Sequence, residues 1–269
     1  MQTFKSIEHS THHTVESLSQ LLLALPFVLA LVIYLIALGV SRRRHQSWPL
    51  YRTFFWIIGN FCAISAIVGP LAGRAQMVFM AHMTAHLLLG MLAPLLMVLA
   101  APITLILRTL NVFTARRLSR ILRCRLLRFA GNPLVASLLN IGGFCLLYTS
   151  NLFMFMHQST FIYAVVHLHI FLAGYLFTAS MIYIDPIPHR TTFVYRAIVL
   201  VTALACHGIL SKYLYAHPPS GVPAAQAETG GMLMYYGGDV IDLGLIIVVC
   251  YQWYKGIQPR TTTLNLMKQ

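Results

Sequence analysis

Seven apolar runs, at roughly 20–41, 51–71, 77–107, 133–154, 159–184, 193–214 and 231–254, constrain this chain more than any other feature. At 1.5 Å per residue, a run of about 20 residues crosses a hydrocarbon core of about 30 Å as an α-helix. A membrane barrel would show segments of about 10 residues with alternating polarity, and no such alternation is present. With 58% hydrophobic residues, 9% charged residues and a mean hydropathy of +0.73, the chain reads as an all-α polytopic membrane protein, a seven-transmembrane helix bundle. The third run is long enough to tilt, or to break near Pro94 or Pro102.

The net charge of +13 is distributed as membrane anchoring, not as a nucleic-acid footprint. Sixteen basic residues fall on one side of the predicted membrane: Arg42, Arg43, Arg44, Arg52, Arg108, Arg116, Arg117, Arg120, Arg123, Arg125, Arg128, Arg190, Arg196, Lys255, Arg260 and Lys268. Only Lys5, Arg74 and Lys212 fall on the other. The positive-inside rule then places the N-terminus outside and the C-terminus in the cytoplasm. No leader peptide is expected, because the basic cluster follows the first apolar run.

The predicted organisation is a polar outer tail (1–19), the membrane domain (20–254) and a cytoplasmic tail (255–269). The basic loop 109–132 interleaves arginine with Leu, Ile and Phe, as an amphipathic helix on an anionic leaflet would; a docking surface for a protein partner is the alternative. The outer loop 211–230 is rich in Pro, Gly and Ala and reads as irregular. Cys62, Cys124, Cys145, Cys206 and Cys250 are isolated, so neither a disulfide framework nor a thiolate cage is indicated.

Polar residues inside the spans collect at one depth. Counting about 1.5 Å per residue from the outer ends puts His82, His86, His167, His169, His207 and Asp239 in one layer of the outer half. Asp242 lies three residues beyond Asp239, nearer the midplane. Ionisable groups in hydrocarbon cost several kcal/mol unless they face partners, so such a layer points to function. His82 and His86 lie one turn apart on one helical face, the spacing that lets two imidazoles reach one metal. His167 and His169 are about 200° apart, so one can aim at the site while the other meets a neighbouring helix; spacing does not choose between them. Asp239 and Asp242 can ligate, orient an imidazole or carry protons. Met80 and Met83 are candidate auxiliary ligands, since thioethers select Cu(I) and imidazole serves either copper state; flexible packing is their other reading. His9, His12 and His13, with Glu8 and Glu16, form either a weak metal-collecting arm or a polar tail.

Several segments resemble the membrane-integral CtaG family of cytochrome c oxidase assembly factors. They are HMTAHLLLGMLAPLLMVLAAPITLILR at 82–108, NPLVASLL at 132–139, HLHIFLAGYLF at 167–177 with DPIP at 185–188, CHGILS at 206–211 and GGMLMYYGGD at 230–239. Tyr235 and Tyr236 stand where the family is expected to carry a tryptophan, and Asp239 where a glutamate is frequent. The resemblance implies a bacterial cytoplasmic (inner) membrane protein needed for active haem-copper oxidase, delivering or inserting copper. It implies oxidase subunits and a copper donor protein as partners, with His82, His86, His167, His169 and His207 as the metal set. It matches Asp185 to the acid of the DPxP turn, a helix-end or turn role.

No nucleophile triad, Gly-rich phosphate loop or paired-carboxylate signature appears, so the chain is expected to bind metal and not to be an enzyme. The alternatives are a haem-binding membrane electron carrier, since intramembrane histidines on different helices also ligate haem, and a metal or proton transporter. The orientation predicts that Ser220→Cys, in a chain otherwise freed of cysteine, reacts with a membrane-impermeant maleimide in intact cells. Cys124, retained alone, is expected to react only after permeabilisation.

Overall fold

Backbone inside a bilayer must satisfy its own hydrogen bonds, and this chain does so with helices. The computed structural model describes residues 2–44, 47–186 and 190–258, with side chains from residue 20 onward, and contains no strand among them. The side chains of the histidine-bearing N-terminal segment, Pro188 and the tail carrying Arg260 and Lys268 lie outside the described residues.

The first crossing belongs to α1 (Gln2–Arg43) and the second to α2 (Leu50–Ile67), followed by the short α3 (Pro70–Ala75). The third is composite: α4 (Phe79–Leu87), a π-helical turn (Leu88–Leu92) and α5 (Ala93–Leu99), after which α6 (Pro102–Thr109) changes direction. Helices α7 (Val112–Leu122) and α8 (Arg125–Ala130) occupy the basic loop and bury no residue. They are followed by α9 (Pro133–Thr149), α10 (Leu152–Gln158), α11 (Thr160–Met181), α12 (Phe193–Ala216) and α13 (Ala224–Ile257). Six crossings are single segments, and the seventh requires α9 and α10 to be taken together, although they are bent by 79°.

The straight fourth span expected over 133–154 is therefore broken. The Ser150 hydroxyl donates to Leu146 O (2.5 Å) and accepts from the Leu152 N–H (3.2 Å), drawing both groups into a local turn. Helix α10 then folds sideways over the bundle end. The connection between α12 and α13 is only residues 217–223, because both helices extend into the stretch expected to be irregular.

The composite third span is the axis of the bundle: within an 18-residue apolar window of it 67% of the residues are buried, against 28–39% in the corresponding windows of the other five spans. Elsewhere the outward faces keep large apolar side chains exposed, among them Ile36, Phe61, Val201 and Val240, as lipid contact requires. Pro94 supplies no N–H and its ring crowds the carbonyl four residues earlier, that of Gly90. The π turn absorbs this conflict. The displaced Gly90 carbonyl faces Gly174 on α11 so closely that a Cβ at 174 would collide with it. Gly174 thus marks the closest crossing of α11 over the axis.

The expected break at Pro102 is present. Ala101 takes a left-handed conformation (φ 52°), and α6 begins at once. Its first N–H groups are satisfied from another helix connection: Asp185 accepts from Thr104 N (2.7 Å), Thr104 Oγ1 (2.6 Å) and Ile103 N (3.2 Å). Burial pushes the Asp185 carboxyl above its ordinary pKa, against these hydrogen bonds and Arg52, which pull it down. Nearby, Trp48 Nε1 donates to Tyr34 Oη (3.0 Å), and Tyr34 stacks on Trp56 (4.8 Å between ring centres). This end, where the arginines gather, is the arginine end; the opposite one is the histidine end.

Adding the Cβ at the crossing is a clean test of this packing. Gly174→Ala is expected to destabilise the protein in detergent by about 1–3 kcal/mol through overpacking. Gly142→Ala, whose Cβ would meet nothing within 4 Å, is expected to be neutral or slightly stabilising in the same unfolding assay.

Candidate metal centre

Four of the five predicted histidines are buried inside the bundle: His82, His86, His167 and His207 are each 3–5% exposed. They come from three helices, and the packing stripe of each explains why. On α4, Phe79, His82, Met83 and His86 recur at helical spacing and face inward. On α11 the buried stripe runs through Val166, His167, Ile170 and Gly174; on α12 it runs through Ala203, His207 and Leu210.

His169 lies off the α11 stripe and is exposed on the flank of the bundle. Its Nε2–H donates to the carbonyl of Leu139 on α9 (3.1 Å), and the ring lies over Gly143, where a Cβ would collide with it. It is a helix-to-helix fastener, directed away from the other four histidines. Asp239 is likewise exposed, one residue past the buried Gly238, whereas Asp242 is buried. Asp239 lies within electrostatic reach of His207, at the depth expected of it, but on the outer face of its helix, and the acid buried inside the bundle is Asp242. Of the two methionines, Met83 is fully buried and Met80 is half exposed.

The buried imidazoles form a file. His82 Nε2 is hydrogen-bonded to Tyr148 Oη (3.1 Å). The Tyr148 ring centre lies 6.0 Å from those of both His82 and His86. His86 and His207 are near parallel, their ring centres 6.5 Å apart with planes 10° apart. His167 stands within electrostatic reach of His82 and His86. Its Nδ1 lies 2.9 Å from Tyr163 O; a carbonyl can only accept, so Nδ1 carries the proton and Nε2 keeps its lone pair.

His86 differs from the rest. Both of its ring nitrogens are buried without a hydrogen-bond partner, and His207 Nε2 is in the same condition. A neutral imidazole has one N–H and one lone pair, so burying both unsatisfied costs about 1–3 kcal/mol per group. Phe144 and Tyr148 enclose the His86 ring edge-on, at 4.2 and 6.0 Å between centres. His207 packs against Gly238, whose missing Cβ leaves room for the ring (2.5 Å from a built Cβ to Cε1). Beyond His207 a cavity of about 10 Å³ is lined by His207, Asp242, Asn140 and Phe144, and the buried Asn140 Oδ1 is also unpartnered.

Among the described residues, no three His, Cys, Asp or Glu side chains converge tightly enough to hold one ion. The arrangement is instead a file in which Tyr148 stands 6.0 Å from both His82 and His86 and the His86 and His207 rings are 6.5 Å apart, with donor atoms left open at His86 and His207. Sequence reasoning missed two members of this assembly. Tyr148 was read only as part of an apolar span, and His157 was not singled out because the turn that folds α10 over the bundle end was not anticipated. A nitrogen-bearing side chain nine residues after Tyr148 was the signal available.

Comparison with known proteins agrees with the motifs. Residues 32–256 match the family described as cytochrome c oxidase caa3 assembly factor (Caa3_CtaG). Uncharacterized protein Mb0105 of Mycobacterium bovis and uncharacterized protein MT0111 of Mycobacterium tuberculosis are each 31% identical over 181 residues, 65% of this chain and 27% of theirs. Uncharacterized protein ML1998 of Mycobacterium leprae is 26% identical over 173 residues, 62% of this chain and 26% of its own. The matched region thus spans about a quarter of these longer relatives. No solved structure matches. The composite third span, the α11 and α12 histidines and the glycine-rich start of α13 all fall within the matched residues, and the chain belongs to the cytochrome c oxidase caa3 assembly factor family.

Proposed function

We propose that this assembly factor binds copper at His86 and His207, with His167 and His82 beside them, and supplies it to a haem-copper oxidase during assembly. The observation that carries the reading is the pair of enclosed imidazoles with unpartnered nitrogens. An ion bound there would offset the cost of leaving those lone pairs without partners. Two imidazoles sharing one ion from opposite sides, with metal–nitrogen bonds of about 2 Å, have ring centres about 6 Å apart. The His86–His207 separation is 6.5 Å. Neutral imidazoles, the buried thioether of Met83 nearby in sequence and an apolar surround suit copper over hard cations.

A compact ion fits this place better than haem does, because the cavity beside His207 is about 10 Å³. The chain's part is to hold and present the metal, with Tyr148 fixing His82 and the Tyr163 carbonyl fixing His167. In the orientation argued from charge, the histidine end faces outward from a bacterial inner membrane, toward copper donors and the oxidase subunits that receive it.

Metal analysis of the purified protein tests the reading. The wild type is expected to retain copper near stoichiometry, and His86→Ala and His207→Ala to lower its affinity by about 10–100-fold. His169→Ala is expected to leave copper content unchanged, because that ring faces away. Unchanged copper in His86→Ala, or a Soret band in the wild type, would overturn it.

A further inference from the structure

A vestibule of about 280 Å³ opens at the histidine end, between the start of α4, the folded-over α10 and the 217–223 connection. Two hydrogen bonds hold its walls. Gln226 Oε1 accepts from Phe79 N (2.9 Å), pinning the start of α13 to the start of α4, and Ser220 Oγ donates to Asn151 Oδ1 (3.2 Å).

The lining includes His157, Met154 and Met77 with Gln76, Gln158 and Gln226, and it contains no Asp, Glu, Lys or Arg. Without a carboxylate it offers little to a hard cation; imidazole and thioether are ligands for a soft one. Met77 is 85% exposed. His157 Nδ1 lies 2.8 Å from Phe153 O and must donate to it, so the lone pair of His157 is on Nε2. The His157 ring centre is 6.2 Å from that of His82, the first buried histidine of the file. Phe79 and Phe153, on the inner side of the vestibule, contact the His82 ring at 6.1 and 5.1 Å between centres.

We infer that this vestibule is a loading site, where His157 with Met154 and Met77 takes up Cu(I) and hands it to His82. The inference rests on the copper reading above and adds the route by which the ion reaches the buried file. Each transfer forms one copper–ligand bond as another breaks, the copper stays Cu(I), and the nitrogen that first accepts it already carries a lone pair. The ring centres of His157 and His82 are 6.2 Å apart and those of His86 and His207 6.5 Å apart, while Tyr148, 6.0 Å from both His82 and His86, walls the passage between the two pairs without serving as a ligand.

The test follows anaerobic transfer from the Cu(I)–bicinchoninate complex to the full chain in detergent, recording both rate and final stoichiometry. His157→Ala, alone and with Met154→Ile, is expected to slow transfer by about tenfold or more while final stoichiometry stays at the wild-type value. His86→Ala is expected to lower the final stoichiometry. Wild-type loading rates in both vestibule variants overturn the loading site and leave the copper reading intact. A lowered stoichiometry in His157→Ala makes it a resident ligand and likewise overturns the loading role. Failure of the wild type to take copper overturns both.

Discussion

The bundle is organised around one backbone contact, the Gly90 carbonyl against Gly174. Pro94 removes the hydrogen bond this carbonyl would otherwise accept, and the absent side chain at 174 lets α11 approach. His86 lies one helical turn before Gly90, and His167 lies about two turns before Gly174. The crossing therefore sets how far apart the two histidine-bearing walls stand. Gly238 does the same on the α13 side, where its missing Cβ accommodates His207. Small residues in membrane helices substitute here for the hydrophobic driving force that lipid does not provide.

Once the walls are placed, backbone carbonyls sort the imidazoles. His157 and His167 each give their Nδ1 proton to the carbonyl four residues earlier, and His169 gives its Nε2 proton to a neighbouring helix. These bonds fix tautomer and ring orientation in the way that outer partners fix metal-binding histidines. His86 has no such bond, so both of its nitrogens stand unpaired in an enclosed place. Such an imbalance is difficult to account for as packing alone, since replacing the ring with an apolar one would remove the cost.

Much of the architecture was legible in the sequence because lipid imposes simple rules. Apolar length gave the crossings, and Pro102 marked the break that Ala101 and Asp185 complete. The HxxxH spacing correctly put His82 and His86 on one face. Angular position alone did not decide between His167 and His169, since the choice depends on where Gly143 of another helix leaves room. Asp239 and Asp242 were only about 60° apart by helical geometry, and the edge of the α13 contact stripe falls between them. His157 was obscured for a different reason: Ser150 stops α9 through its own side-chain hydrogen bonds, and hydropathy does not register that.

The π turn at Leu88–Leu92 sits between the two halves of the axis, so it also acts as an angular adjuster. Each residue of an α-helix turns the chain by about 100°. Removing one residue from this turn would restore ordinary helical winding but swing the His82–His86 face away from His207, with the span shortened by only about 1.5 Å. An insertion of one residue, a defect in most helices, is here what lets a proline-anchored inner half and a histidine-bearing half each meet its own neighbours.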